Sequence, residues 1–334
     1  MYLKKWDTIG VISLSSNMSS LVKHRIQVWI DNIKKMWLEV KFPKNFWNKN
    51  KNGNNFLSIE ERLEDFYELL EDKNIKMIMS SIGWDYSNQL LRFIDWNKVK
   101  NNEKIFIWFS DMTVLYNSIL KKTGIKTYYW HAFLTQICEK DFLNSYSHKS
   151  FKEMFLKNNT TIKIYPSKKY TDHFLNWFDI NNLNRNRIYK DNSWFKWLRK
   201  GKIKWEIIWG CIPSINHLLW TEFLPSFEKK IFLIDIPESD FDIKKWFEFN
   251  LLQWFFYDLY NAWIFDEIKW IILGRLYNTS KDEEKKIYDL LLKLTKNIPI
   301  LTNFDIWHTN PIAVLKLWSY VEVDSDKNYL LQKI

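Results

Sequence analysis

The sequence predicts an α/β protein of two domains, an N-terminal doubly wound parallel sheet of the flavodoxin or Rossmann kind followed by a smaller C-terminal α/β domain. Three observations carry this. The chain has 334 residues, and single hydrophobic cores stop growing near roughly 250–300. Strand-like and helix-like segments alternate through the first third of the chain and again toward its end, the pattern of helices packed on both faces of a parallel sheet. Between them runs a polar, Lys- and Asn-rich stretch of weak periodicity. The expected divisions are 1–140, a connecting segment 141–200, and 201–334.

Taken in order, DTIGVISLSS (7–16) reads as a first strand, and SSLVKHRIQVWIDNIKKMW (19–37) repeats its apolar residues at a helical period. LEVKF (38–42) is a second strand, and SIEERLEDFYELLED (58–72) opens with Ser58 and Glu61 as a capping box. IKMIMSSI (75–82) is a third strand, followed by a helix near 86–100, the strand KIFIWF (104–109), a helix over 112–122 and the strand IKTYYW (125–130). The second half offers the strand IFLIDI (231–236), a helix from Ile243 to Tyr260, the strand WIILGRL (270–276), a helix over Lys281–Leu294 and the strand-like IPILTNFDI (298–306).

Composition excludes several classes of function. The chain is 46% hydrophobic and 26% charged, with no apolar run approaching the roughly 20 residues that span a bilayer. MYLKKWDTIGVISLSS at the start reads as a strand, because Asp7 interrupts it and no small-residue cleavage site follows. Cys138 and Cys211 are too few for a disulfide framework and lack metal-ligand spacing, so a cytoplasmic location is expected. A net charge of +10 invites a nucleic-acid reading, yet the lysines are scattered and no binding motif accompanies them. Abundant Lys, Asn, Ile, Phe and Tyr with little Gly and Pro is what A+T-rich coding produces, and neither nucleic acid nor membrane is expected as a partner. Two counts stand outside that bias. There are 7 glycines and 20 tryptophans, where average usage predicts roughly 23 glycines.

The chemistry centres on Ser110. It ends an apolar strand just before a helix, which places its hydroxyl at the carboxyl edge of the sheet and at the positive end of the next helix. A serine needs an adjacent base to become nucleophilic. Of the 6 histidines, His308 follows a strand in the second half, whereas His24 lies on a helix and His148 and His173 in the connecting segment. No phosphate loop, His-Glu metal cluster or dinucleotide fingerprint is present, and no cofactor is expected.

Several segments, read in order, resemble the serine peptidases that comprise the LD-carboxypeptidases of murein recycling and the microcin-immunity peptidases. They are SSIGWDYSNQLLRFIDWNKVKNNEKIFIWFSDMTVLYNSILKKTGIKTYYWHAF (80–133), IFLIDIPE (231–238) and DIWHTNPI (305–312), supported by KKWDTIG, IIWGCIPSINHLLWTEFLP (207–225) and WIFDEIKWIILGR (263–275). The resemblance implies a Ser-His-carboxylate triad of Ser110, His308 and Asp235. Asp235 stands where the family has glutamate, and Glu238 is the fallback carboxylate. It also implies an oxyanion hole from the backbone N–H groups of Asp111 and Trp84. The implied substrate is the terminal D-alanine bond of murein tetrapeptide or a peptidyl-nucleotide antibiotic, with IYPSKKYTDHFLNWF (164–178) and Gly210–Cys211 leaning toward the second, and the implied assembly is a homodimer. A catalytically impaired homologue that binds peptide without turnover is the competing class.

The resemblance also exposes an anomaly. Where the family pattern has glycine, this chain has tryptophan at thirteen positions: 6, 29, 37, 84, 108, 130, 205, 209, 220, 263, 270, 307 and 318. A large side chain at a left-handed or tightly approached site costs on the order of 1–3 kcal/mol, and thirteen such costs exceed a typical stability of roughly 5–15 kcal/mol. The expectation is that these codons are UGA, which some bacteria read as glycine and others as tryptophan, with Trp194 a candidate for the same set.

Overall fold

The computed structural model describes residues 2–48, 56–239, 242, 244–306 and 308–334. The chain divides into two compact units, Met1–Asn158 with Leu175–Arg187, and Asn159–Phe174 with Ile188–Ile334.

In the first unit, β1 (Thr8–Ile12), α1 (Lys23–Lys35), β2 (Glu39–Lys41), α2 (Ile59–Glu71), β3 (Ile75–Ser80), α3 (Trp96–Asn101), β4 (Ile105–Trp108), α4 (Thr113–Thr123), β5 (Tyr128–Tyr129) and α5 (Tyr146–Phe155) follow one another. The strands pair in parallel in the order β5-β4-β3-β1-β2. Strands covered on both faces read as near-continuous apolar runs, and every residue of β4 is buried. Ser58 and Glu61 form the expected capping box of α2. The single helix expected near 86–100 is instead a 3-10 turn at Ser87–Leu90 followed by the short α3. Asp95 breaks it, because its carboxylate accepts from the Asn97 and Lys98 amides and restarts the chain as an N-cap.

The second unit contains β6 (Thr161–Ile164), β7 (Lys169–Tyr170), β8 (Lys190–Asp191), β9 (Lys196–Arg199), β10 (Lys202–Cys211), α6 (Ile212–Asn216), β11 (Ile231–Asp235), α7 (Phe249–Asn261), α8 (Ile264–Glu267), β12 (Trp270–Gly274), α9 (Lys281–Leu294), β13 (Ile300–Phe304), β14 (Leu315–Lys316), β15 (Tyr320–Asp324) and β16 (Leu330–Lys333). Eight strands form one mixed sheet in the order β6-β16-β15-β10-β11-β12-β13-β9, and β7 pairs with β8. The central four, β10 to β13, are parallel and the flanking pairs antiparallel. The helix expected from Ile243 begins at Phe249, after a backbone bridge between Glu238 and Trp246, and Ile243 itself lies outside the described residues.

Residues 141–200, expected as one connection, are shared between the units. α5 belongs to the first, while β6 and β9 are the two edges of the eight-stranded sheet. Both edge strands are mostly exposed or half-buried and carry lysine, as edges do when they discourage further pairing. That polarity hid them from an apolar-period reading. Among the described residues no helix is long and apolar enough to cross a membrane.

Candidate active site

In the first unit the chain turns sharply where β4 ends. Phe109 is extended, with φ −158° and ψ 173°, and Ser110 then adopts φ +64° before a 3-10 turn leads into α4. A non-glycine residue in the left-handed region is strained and persists where the surroundings over-determine it. Two contacts do so. The Thr113 hydroxyl donates to the Ser110 carbonyl at 2.7 Å. Gly83 lies so close that a Cβ placed there would stand 2.3 Å from Ser110 Cβ, 2.7 Å from its Oγ and 3.2 Å from the Asp111 amide nitrogen. Only glycine fits at 83, and its turn with Trp84 is thereby pressed against the serine.

Asp111 braces this turn from below. Its carboxylate accepts from the Ser15 hydroxyl at 2.7 Å and the Ser87 amide at 3.0 Å, and the Ser87 hydroxyl donates to its carbonyl at 2.9 Å. The brace ties the segments that follow β1 and β3 to the Ser110 turn. Arg62, reaching in from α2, is fully buried and donates to the carbonyls of Leu14 and Tyr86 and to the Gln89 side chain. Burial lowers its pKa to about 10, with the Asp111 charge opposing the fall. Asp111 is thus an internal support, its side chain turned away from solvent.

In the second unit Asp235 ends β11, buried beside Cys211, its register partner on β10. The Cys211 thiol and the Ile236 amide donate to its carboxylate, but burial, with the nearby Glu238 charge adding, pushes the carboxyl well above its ordinary range. His308 lies between two acids, with Nδ1 3.8 Å from Asp235 Oδ2 and Nε2 2.7 Å from Glu238 Oε2. Burial depresses the imidazole to about 4, against the pull of Glu238. The unit therefore brings together Asp235, Glu238 and His308.

A buried network fixes the His308 turn. Arg275, just past β12, donates to Asn303 Oδ1 at 3.0 Å, Thr309 Oγ1 at 3.1 Å and Asp305 Oδ1 at 2.5 Å. Asp305 also accepts from the amide and hydroxyl of Ser167, and Asn310 exchanges backbone bonds with Thr171 at 2.7 and 2.8 Å. His308 sits inside this frame with φ +37°. Beyond Thr171 opens a cavity of about 440 Å³ lined by Asp172, His173, Phe174, Lys190, Tyr277 and Asn278 among others. Sequence reasoning missed Arg62 and Arg275 as supports. The available signal was an arginine abutting an apolar strand, as in WIILGR, where a lone charge needs a buried partner.

The chain matches the LD-carboxypeptidase N-terminal domain over residues 9–130 and the LD-carboxypeptidase C-terminal domain over residues 206–323. It is 28% identical to the microcin C7 self-immunity protein MccF of Escherichia coli over 96% of this chain and 91% of that protein. It is likewise 28% identical to the putative carboxypeptidase YocD of Bacillus subtilis, over 97% of this chain and 95% of that one. The solved structure of MccF in complex with glutamyl sulfamoyl guanosine matches with a TM-score of 0.90 and 26% identity, over 100% of this chain and 97% of that chain. A MccF-like protein from Streptococcus pneumoniae, solved with AMP, matches with a TM-score of 0.84 and 26% identity, over 98% of this chain and 99% of that one. Both halves of the sequence and the fold as a whole place this chain in the LD-carboxypeptidase family of peptidases.

Proposed function

We propose that the chain is a serine peptidase that hydrolyses a small peptide amide through an acyl-enzyme, with Ser110 as nucleophile, His308 as base and Asp235 as the carboxylate that orients it. The observation that carries this reading is the left-handed turn at Ser110 with the Gly83 backbone against it. A serine in a strained strand-to-helix turn presents its hydroxyl clear of the sheet.

In the reaction, Ser110 Oγ attacks the amide carbon as its proton passes to His308. The Asp111 and Trp84 amides hold the oxyanion, the amine leaves with the proton returned by His308, and water then hydrolyses the ester by the same route. Glu238 holds Nε2 at rest and yields when substrate engages the base. The substrate best supported is a peptidyl-nucleotide, since MccF has been solved with aspartyl sulfamoyl adenosine and glutamyl sulfamoyl guanosine; murein tetrapeptide is the second, from the similarity to a probable murein peptide carboxypeptidase of Bacillus subtilis.

One observation favours a peptide-binding homologue without turnover, the 2.7 Å approach of His308 Nε2 to Glu238. Labelling with a fluorophosphonate separates the two. The peptidase reading expects one label, mapped to Ser110 and absent in Ser110→Ala; no label on the chain or on Glu238→Gln supports the binding protein.

A further inference from the structure

We infer that positions 6, 37, 84, 194, 220, 263 and 318, together with the buried positions 29, 108, 130 and 270, are glycine in the protein as its own cells make it, each codon being UGA read there as glycine. Thirteen described residues other than glycine have φ in the left-handed region, and seven of them are tryptophan: Trp6 at 71°, Trp37 at 62°, Trp84 at 106°, Trp194 at 68°, Trp220 at 64°, Trp263 at 58° and Trp318 at 57°. Asn and Asp are the usual non-glycine occupants there, and a bulky side chain is an outlier. Seven outliers of one rare residue type call for one cause.

The local hydrogen bonding says what those positions need. After α1, the Trp37 amide donates to the Lys34 carbonyl at 2.9 Å and the Leu38 amide to the Ile33 carbonyl at 3.3 Å. This is a Schellman motif with tryptophan in its left-handed position, where glycine normally sits. After α7, the Trp263 amide bonds the Tyr260 carbonyl at 3.0 Å. A glycine does occupy the corresponding place after α4, where Gly124 has φ 77° and its amide bonds the Leu120 carbonyl at 2.8 Å. Nor does packing offset the strain, because Trp6, Trp37, Trp84, Trp194, Trp220 and Trp263 are 42–76% exposed.

A separate observation comes from the interior. Trp29, Trp108, Trp130 and Trp270 are fully buried, and among the described residues their indole N–H groups have no hydrogen-bond partner. Buried tryptophans ordinarily satisfy that donor. Glycine removes the orphaned donors and the misplaced rings in one step. Trp307 lies outside the described residues, Trp205 carries neither sign, and Trp209 is fully buried without a left-handed backbone. Trp254, exposed on α7, carries neither sign and serves as a control.

The test is peptide mass spectrometry of the protein isolated from the cells that make it, read with its codons. Glycine at UGA codons for positions 37, 84 and 263, with tryptophan at 254, is expected; tryptophan at 37, 84 and 263, or UGG codons there, overturns the inference. As an independent reading, Trp37→Gly, Trp263→Gly and Trp318→Gly in the recombinant chain should each raise the melting midpoint by about 1–4 °C, while Trp254→Gly, inside a helix, lowers it. Lowered midpoints at all three left-handed sites would also contradict it. Neither readout depends on catalytic activity.

Discussion

Ser110 shows what a single residue contributes when its backbone is held out of the ordinary regions. Its φ of +64° stores strain of about 1 kcal/mol that aims the hydroxyl. Ser110→Gly should therefore raise stability by about 1 kcal/mol in denaturant titration while abolishing turnover, whereas a purely structural serine would show no such opposition. In the proposed reaction His308 supplies the pH dependence. Its pKa of about 4 lies below the ordinary value near 6.5, so the imidazole is neutral and able to accept a proton across neutral pH. The acid limb of kcat/KM should then fall well below pH 6.5. Because the Glu238 charge raises the His308 pKa against burial, Glu238→Gln should move that limb to still lower pH; a limb moved upward would refute the assignment. The same depression bears on stability. The unfolded chain takes up the His308 proton near pH 6.5 and the native state only near 4, so this group's contribution is lost as pH falls through that window. Asp235 acts in the opposite sense, since burial raises its carboxyl in the native state and its contribution is lost as pH rises. The proton belongs to the cluster of three groups rather than to any one.

At the scale of elements, the proposed site rests on a buried ion pair placed where two strands end. Arg275 and Asp305 are 4% and 1% exposed, and Arg275→Met would strand the Asp305 charge in the interior. A loss of about 3–5 kcal/mol is expected from thermal or denaturant unfolding, with the His308 turn the first region to lose protection in hydrogen exchange. Elements with strong local signals were legible in the sequence. The Ser58–Glu61 box capped α2 as read, and the strands IFLID and WIILG lie where their apolar runs put them. Elements governed by distant partners were not. β6 and β9 owe their existence to neighbours far along the chain and carry edge-strand polarity, so no local period marked them. The helix near 86–100 failed because one side chain, Asp95, outcompeted the backbone ladder.

For the molecule as a whole, the residues proposed for the reaction are far apart in sequence, Ser110 in one compact unit and Asp235 and His308 in the other. Periodicity and composition pointed to Ser110 as a strand-end serine, but only the family resemblance paired it with a particular histidine. The structure sets Glu238, the fallback carboxylate, on the imidazole Nε2, and adds Gly83 against the serine and the buried Arg62 and Arg275. The net charge of +10 is offset locally where lysines are engaged with neighbouring acids, as at Lys41, Lys44, Lys98 and Lys190. Retention on duplex DNA at low ionic strength should accordingly vanish by about 150 mM salt, where the Debye length is about 8 Å.

The most direct measurement of the central claim is steady-state hydrolysis of a peptidyl-adenylate amide and of murein tetrapeptide, by the chain as written, by Trp84→Gly and by Ser110→Ala. Cleavage of at least one substrate is expected, faster in Trp84→Gly, with a loss of about 10³-fold or more in Ser110→Ala with folding intact. Cleavage of neither substrate, or cleavage undiminished in Ser110→Ala, would contradict it.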